Sequence, residues 1–183
     1  MALPALRLAI CTMAAALTLA VGAAHAQASE EAVKAAFLPK FARYIELPAA
    51  AQPAENQPYY LCVIGRDPFG ALLDKAAGSE SIDGHPVAVR RFANAEAPAV
   101  AGCHLAFLAG TEPQTAQMLA AMRRQPTLTI TDARWGTARG MIHFVIEGGR
   151  VRFQIDQVEA ADRGIAISSR LLALAVDVRQ AAQ

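Results

Sequence analysis

The chain has 183 residues, 54% hydrophobic and 18% charged, which excludes a disordered polyampholyte and fits one folded domain. With 17 Lys and Arg against 16 Asp and Glu, the net charge is +1, so there is no basic footprint for nucleic acid. The 3 cysteines are too few for a disulfide-dense mini-scaffold.

The N-terminus reads as an address. Arg7 precedes an uncharged run, Leu8–Ala24, and Ala24-His25-Ala26 is a small-residue cleavage pattern. This order predicts a secretory signal peptide, residues 1–26, cleaved after Ala26. The run is rich in Ala and shorter than the roughly 20 residues of a spanning helix. Lipidation at Cys11 does not fit, because Ile10 is too large before a lipidated Cys and most of the apolar run follows it. Cleavage removes Arg7 and Cys11, leaving a formally neutral domain, residues 27–183, with Cys62 and Cys103.

The next segments alternate between helix and strand. Ser29 caps a predicted helix with Glu30 and Glu31 at its positive end. Val33, Phe37, Phe41 and Tyr44 recur at helical spacing and define its apolar face. Pro39 is expected to kink this helix and Pro48 to end it. Residues 49–58, with Pro53 and Pro58, read as a loop. Tyr59–Gly65 has the apolar run of a buried strand. Asp67 as N-cap and Pro68 as first helical residue predict a helix to about Ala77. Asp83-Gly84 is a turn, Val87–Phe92 a strand and Cys103–Ala109 a second buried strand. Glu112–Arg124 reads as an amphipathic helix and Thr127–Thr131 as a β-branched strand.

The sharpest local pattern is a hairpin. Gly148-Gly149 supplies a two-residue turn with positive φ at both positions. That register pairs Ile146 with Val151, Phe144 with Phe153 and Ile142 with Ile155 on one apolar face. The other face pairs Glu147 with Arg150, Val145 with Arg152 and His143 with Gln154. Asp156–Arg163 reads as a short helix ending at Gly164, and Ser168 as the cap of a last helix to about Val178. Together these elements predict an α/β fold. It is a single compact domain with a mixed, mostly parallel sheet flanked by helices and a β-hairpin at about 141–155.

Two cysteines in an exported domain fit one bridge, Cys62–Cys103. It would close a loop of about 40 residues, worth ~4 kcal/mol on chain-entropy grounds. The alternative is two buried free thiols. Neither a C-x-x-C pair nor histidines at ligand spacing point to a metal.

Catalytic patterns are equally scarce. Gly65-Arg66-Asp67-Pro68-Phe69-Gly70 lacks both the Lys-Ser/Thr of a Walker A loop and the glycine spacing of a dinucleotide fold. A helix N-terminus beside Arg66 still offers an anion site, with Arg170 at another helix start as a second candidate. The competing account is that Asp67 caps its helix and Arg66 is solvated. His85, His104 and His143 are expected to be structural or solvated. Ser168 and Ser169 sit in no nucleophile motif and read as helix caps. Glu147 and Asp156 flank the hairpin rather than sharing a cleft, and Trp135 reads as core or rim. No catalytic residue, cofactor or metal is expected, which favours binding or regulation over catalysis.

Several segments, taken in order, resemble the YfiR-like family of periplasmic proteins. They are Lys34-Ala35-Ala36-Phe37-Leu38 with Lys40-Phe41-Ala42-Arg43-Tyr44-Ile45-Glu46 and Pro48, and Leu61–Gly70. Gly102-Cys103-His104-Leu105, Gly140–Ile155 and Ile167–Ala175 complete the set. The resemblance implies a non-enzymatic α/β domain, often dimeric, that represses an inner-membrane diguanylate cyclase by binding its periplasmic sensor region. Release would raise cyclic-di-GMP and promote biofilm, and an outer-membrane lipoprotein can sequester the repressor. Cys62 and Cys103 match the positions of a family disulfide; a second, C-terminal pair found in some members is missing here. Pro39 stands where an aromatic residue is common, and Leu47 where Trp often precedes Pro. Lys40, Arg43, Arg150 and Arg152 are the candidate partner contacts, with ordinary solvated surface as the competing account. The alternative function is a periplasmic small-anion or nucleotide sensor using Arg66 and Arg170.

Overall fold

The computed structural model describes residues 29–96 and 100–180. The export segment expected over residues 1–26 lies outside them. Helix α1 spans Ser29–Phe37, and a 3-10 turn, Pro39–Tyr44, continues it. Pro39 has no N–H to give the α ladder, and in place of the expected kink the α-helix ends at Phe37 and the chain tightens into the 3-10 turn. The tightening also turns the apolar stripe, since side chains now recur every three residues rather than every 3.6. Leu38, Phe41 and Ala42 are therefore buried while Val33, expected on the apolar face, is 38% exposed.

The chain continues through β1 (Ile45–Glu46), β2 (Tyr59–Gly65), α2 (Ala71–Gly78), β3 (Ser81–Ile82), β4 (His85–Phe92) and β5 (Leu105–Ala109). Next come α3 (Glu112–Met122), β6 (Leu128–Asp132), β7 (Ile142–Glu147) and β8 (Arg150–Asp156). It closes with α4 (Gln157–Asp162), β9 (Ala166–Ile167), α5 (Ser169–Leu172) and β10 (Asp177–Arg179). The main sheet has eight strands in the order β10-β8-β7-β6-β5-β2-β4-β3, and β1 pairs antiparallel with β9 in a small second sheet. β4, β2, β5, β6 and β7 run parallel, as the helical crossovers require. The fold is the mixed, mostly parallel α/β sheet that the alternation of elements predicts.

The hairpin register holds at all six predicted pairs, from Ile142 with Ile155 to Glu147 with Arg150. Gly148 and Gly149 take φ of 57° and 70°, values that side-chain-bearing residues resist. Burial grades along the apolar face. Ile142, Phe144, Phe153 and Ile155 are in the core, but Ile146 at the tip is 48% exposed.

Two local expectations are corrected. The Asp67 carboxylate accepts from the Phe69 and Gly70 amides at 2.8 and 3.1 Å, forming a tight turn, so α2 starts only at Ala71. The last helix stops at Leu172 instead of about Val178. Asp177–Arg179 instead pairs parallel with β8, introduced by a bond from the Val176 amide to the Phe153 carbonyl. The open edge of β8 outweighs the modest helix preference of an Ala/Leu-rich segment.

Apolar side chains fill both faces of the main sheet. On one face Leu61, Val63, Phe107, Ile130, Phe144 and Phe153 pack against α1, the 3-10 turn and α2. Phe41 lies 5.4 Å from the Phe153 ring and 5.8 Å from Phe144. On the other, Cys62, Ile64, Ala106 and Leu108 meet Met118 and Met122 of α3.

Candidate functional site

β2 lies between β4 and β5, so the chain leaves it on one side and returns on the other. In open parallel sheets such a reversal leaves a crevice beyond the carboxyl ends of the strands. Here Gly65 ends β2 at φ 87°, where a Cβ would stand 2.1 Å from the Ala109 carbonyl oxygen. Only glycine allows this approach, and the Arg66 amide then donates to that oxygen at 2.8 Å. The resulting cavity of about 610 Å³ is lined by Arg66, Asn94, Glu96, Gln114, Gln117 and Met118, among others.

Arg66 stands over the Trp135 ring at 5.1 Å, and Arg134 approaches the same ring at 5.9 Å. Trp135 is part-buried at the rim of the core. Asp67 is held elsewhere, because Arg91 donates to it at 2.7 Å and also grips Asp74. Burial alone would raise the Asp67 carboxyl, but bonds from Arg91 and two backbone amides outweigh it and hold it below the usual carboxylate range. Arg170 sits on the four-residue α5 and does not line the crevice. The crevice therefore contains Arg66 without Arg170, and the two are not brought together.

The candidate partner residues are also divided. Lys40 and Arg43 lie on the 3-10 turn, and Arg150 and Arg152 on the hairpin, all exposed or half-exposed. Arg43 donates to Glu80 at 2.7 Å, so it is engaged within the fold. No hydrogen bond or ion pair joins the two sets among the described residues. Larger apolar side chains are exposed at Ile146 on the hairpin and at Leu174 and Val176 before β10.

Cys62 and Cys103 are bridged, with Cα atoms 5.8 Å apart and both residues buried. The bridge joins β2 to the entry of β5.

Sequence reasoning missed the polar groups inside the fold. Lys34 Nζ donates to Asp132 at 2.6 Å, and both residues are buried. The pair ties α1 to the carboxyl end of β6, with Lys34 also 5.8 Å from the Phe144 ring. A lysine flanked by Ala35 and Ala36 between Val33 and Phe37 was the one available signal. Its partner is 98 residues away and no local pattern marks it. His143 is buried with its Nδ1 2.8 Å from the Thr131 hydroxyl, and His104 is buried with its Nδ1 2.8 Å from the Tyr60 amide. Burial pushes both imidazoles below their ordinary pKa.

Among the described residues no group of three or more His, Cys, Asp or Glu is arranged to hold a metal ion, and no helix is long and apolar enough to cross a membrane. The charged side chains form pairs that lock elements together, as with Arg91 and Lys34, or spread over the surface. The α/β domain so built presents an open crevice and exposed apolar and basic groups. Residues 31–176 match the model of the family described as YfiR/HmsC-like, and the chain belongs to that family. The family is one of periplasmic regulators that act through protein partners. No curated protein matches the chain.

Proposed function

We propose that this protein is a periplasmic repressor of a membrane-bound diguanylate cyclase, acting by contact with the cyclase's periplasmic sensor region. Residues 1–26 would direct export and be removed after Ala26. Repression would work by population shift, the domain binding the inactive state of the cyclase more tightly than the active one. The output would be lower cyclic-di-GMP and less biofilm. An outer-membrane lipoprotein would compete for the domain, and a homodimer would be its resting form. The observation that carries this reading is the family match over residues 31–176.

Lys40, Arg150 and Arg152 are the exposed basic groups proposed to meet the partner; Arg43, held by Glu80, would contribute less. Deleting the gene should raise cellular cyclic-di-GMP, and supplying Lys40→Glu with Arg150→Glu should fail to restore repression. Unchanged cyclic-di-GMP on deletion would reject the cyclase as target. Full complementation by the charge-reversed protein would reject these contacts.

A second reading is favoured by the crevice. A cavity at the reversal of the strand order, with Arg66 on its wall, suits a small anion or nucleotide. Under this reading, nucleotides should raise the melting temperature of the wild type but not of Arg66→Ala. A flat response across a nucleotide panel would discard it.

A further inference from the structure

At the opposite, amino end of the sheet, on the disulfide-bearing face, three side chains form a row across neighbouring strands. Leu61 pairs with both Val89 and Leu105, which sets Tyr60 beside His104 and places Arg90 one step along β4. The Arg90 guanidinium lies 3.3 Å from the centre of the Tyr60 ring, and the His104 ring is stacked at 5.9 Å and 21° to Tyr60. All three line a cavity of about 360 Å³, closed on other sides by Ala50, Gln52 and Gly102.

The hydrogen bonding of His104 fixes its tautomer. The Tyr60 amide donates to Nδ1, and an amide has only a proton to give, so Nδ1 is bare. The neutral ring then carries its proton on Nε2. That N–H has no acceptor among the described residues and keeps access to the cavity, although the residue as a whole is only 5% exposed. The Nε2 atom itself is not sealed off from solvent, so it can donate to a molecule held in the cavity.

Arg90 tells the same story when set against its neighbour. Arg91 points to the opposite face and is satisfied by Asp67 and Asp74. Arg90 is half-buried and meets no carboxylate among the described residues, and the cavity lining includes neither Asp nor Glu. Stacking on Tyr60 covers one face of the guanidinium but leaves its N–H edge free. It also fixes the group in place before a ligand arrives, which lowers the entropy cost of binding.

We propose that this cavity binds the oxyanion of a small carboxylate or phosphate ligand, with Arg90 as a bidentate clamp and His104 Nε2–H as the second donor. Because the cavity is walled by the segment around Ala50–Gln52 on one side and by β2, β4 and the residues leading into β5 on the other, an occupant would fasten that segment to the sheet. This site is separate from the Arg66 crevice and does not depend on it.

The test is an NMR titration of the mature chain, residues 27–183, with sodium phosphate and in a second arm with sodium acetate, each at constant ionic strength against chloride. Saturable shifts of the Tyr60 and Gly102 amides and of His104 Nε2 are expected with at least one anion; which arm saturates distinguishes phosphate from carboxylate. Arg90→Gln should weaken binding roughly 10-fold or more, and Arg90→Lys, which keeps the charge but loses the fork, should also weaken it. Arg66→Gln should leave it unchanged. Absence of saturation with either anion into the tens of millimolar overturns the proposal. So does saturation that persists in both Arg90 variants. Loss of binding in Arg66→Gln alone would move the anion to the other end of the sheet and equally reject this site.

Discussion

The two faces of the main sheet are finished by different means. On the first, the rings of Phe37, Phe41, Phe144 and Phe153 interlock and a buried Lys34–Asp132 pair closes the carboxyl end. On the second, a disulfide and the methionines of α3 cover part of the strands. What remains is polar: Thr129, Thr131 and His143 are buried there, and Tyr60, His104 and Arg90 line a cavity. Burial of apolar surface gives the first face its cohesion. The second holds its polar groups in place with a covalent link and one helix, so some of their bonding capacity is left for an outside molecule.

The largest effect should come from breaking the first face at its buried ion pair. Lys34→Ala leaves Asp132 buried without its cation, which should cost about 3–5 kcal/mol in urea unfolding. Replacing both partners, Lys34→Met with Asp132→Leu, should restore most of that loss, because two apolar groups need no desolvation. If Lys34→Ala unfolds at the wild-type midpoint, the pair does not anchor α1.

Next in size is the staple of the second face. Cys62→Ala with Cys103→Ala should lose about 2–4 kcal/mol by the same measurement. The loss should fall on β2, β5 and the cavity beside them, with faster hydrogen exchange at Tyr60 and His104 than at Phe144. Uniform acceleration across both faces would erase the contrast between them.

Acid should also act on the second face. Burial lowers the pKa of both His104 and His143 in the folded protein, assisted at His104 by Arg90 and His85 and at His143 by Arg139 and Lys34, with Asp132 opposing. The unfolded chain, with histidine near 6.5, therefore takes up protons first as pH falls. Stability from these groups is complete above about 6.5 and declines as pH drops from there toward the lowered folded values. Protonation of His104 would also set a new N–H against the Tyr60 amide. His104→Gln should flatten this part of the pH–stability curve, and an unchanged slope would mean that His104 does not contribute.

Legibility in the sequence divides along the same line. Alternation and turn chemistry are local, so the hairpin register from Ile142 to Ile155 and the buried strand Tyr59–Gly65 were readable. The cysteine count was enough to suggest the bridge. Features that depend on distant partners were not readable. Lys34 needs Asp132, β10 needs the open edge of β8, and Arg90 differs from Arg91 only through the face each one meets. Tyr60 and His104 sit in runs so apolar that both faces of their strands read as core. The site candidates shared this limit, since Arg66 and Arg170 look alike as arginines near helix starts but lie on unconnected elements.

The smallest effect tests how locally the second face is held. Its helix, α3, begins with a capping box in which the Thr111 amide donates to Gln114 Oε1 at 2.9 Å. Thr111→Ala removes the hydroxyl that accepts from the backbone amide at Gln114, and should cost about 1 kcal/mol. The first turn of α3 is also a wall of the Arg66 crevice through Gln114, with Gln117 one turn on. If the face is built from separable parts, hydrogen exchange should quicken in that turn while the Arg90 cavity and the aromatic core keep their protection. The variant would then separate the two ends of the sheet, altering ligand response at the crevice and leaving oxyanion binding at Arg90 as it was. If protection instead falls at Tyr60 and His104 as well, α3 and the disulfide hold the second face as one unit, and occupancy at either end would be felt at the other.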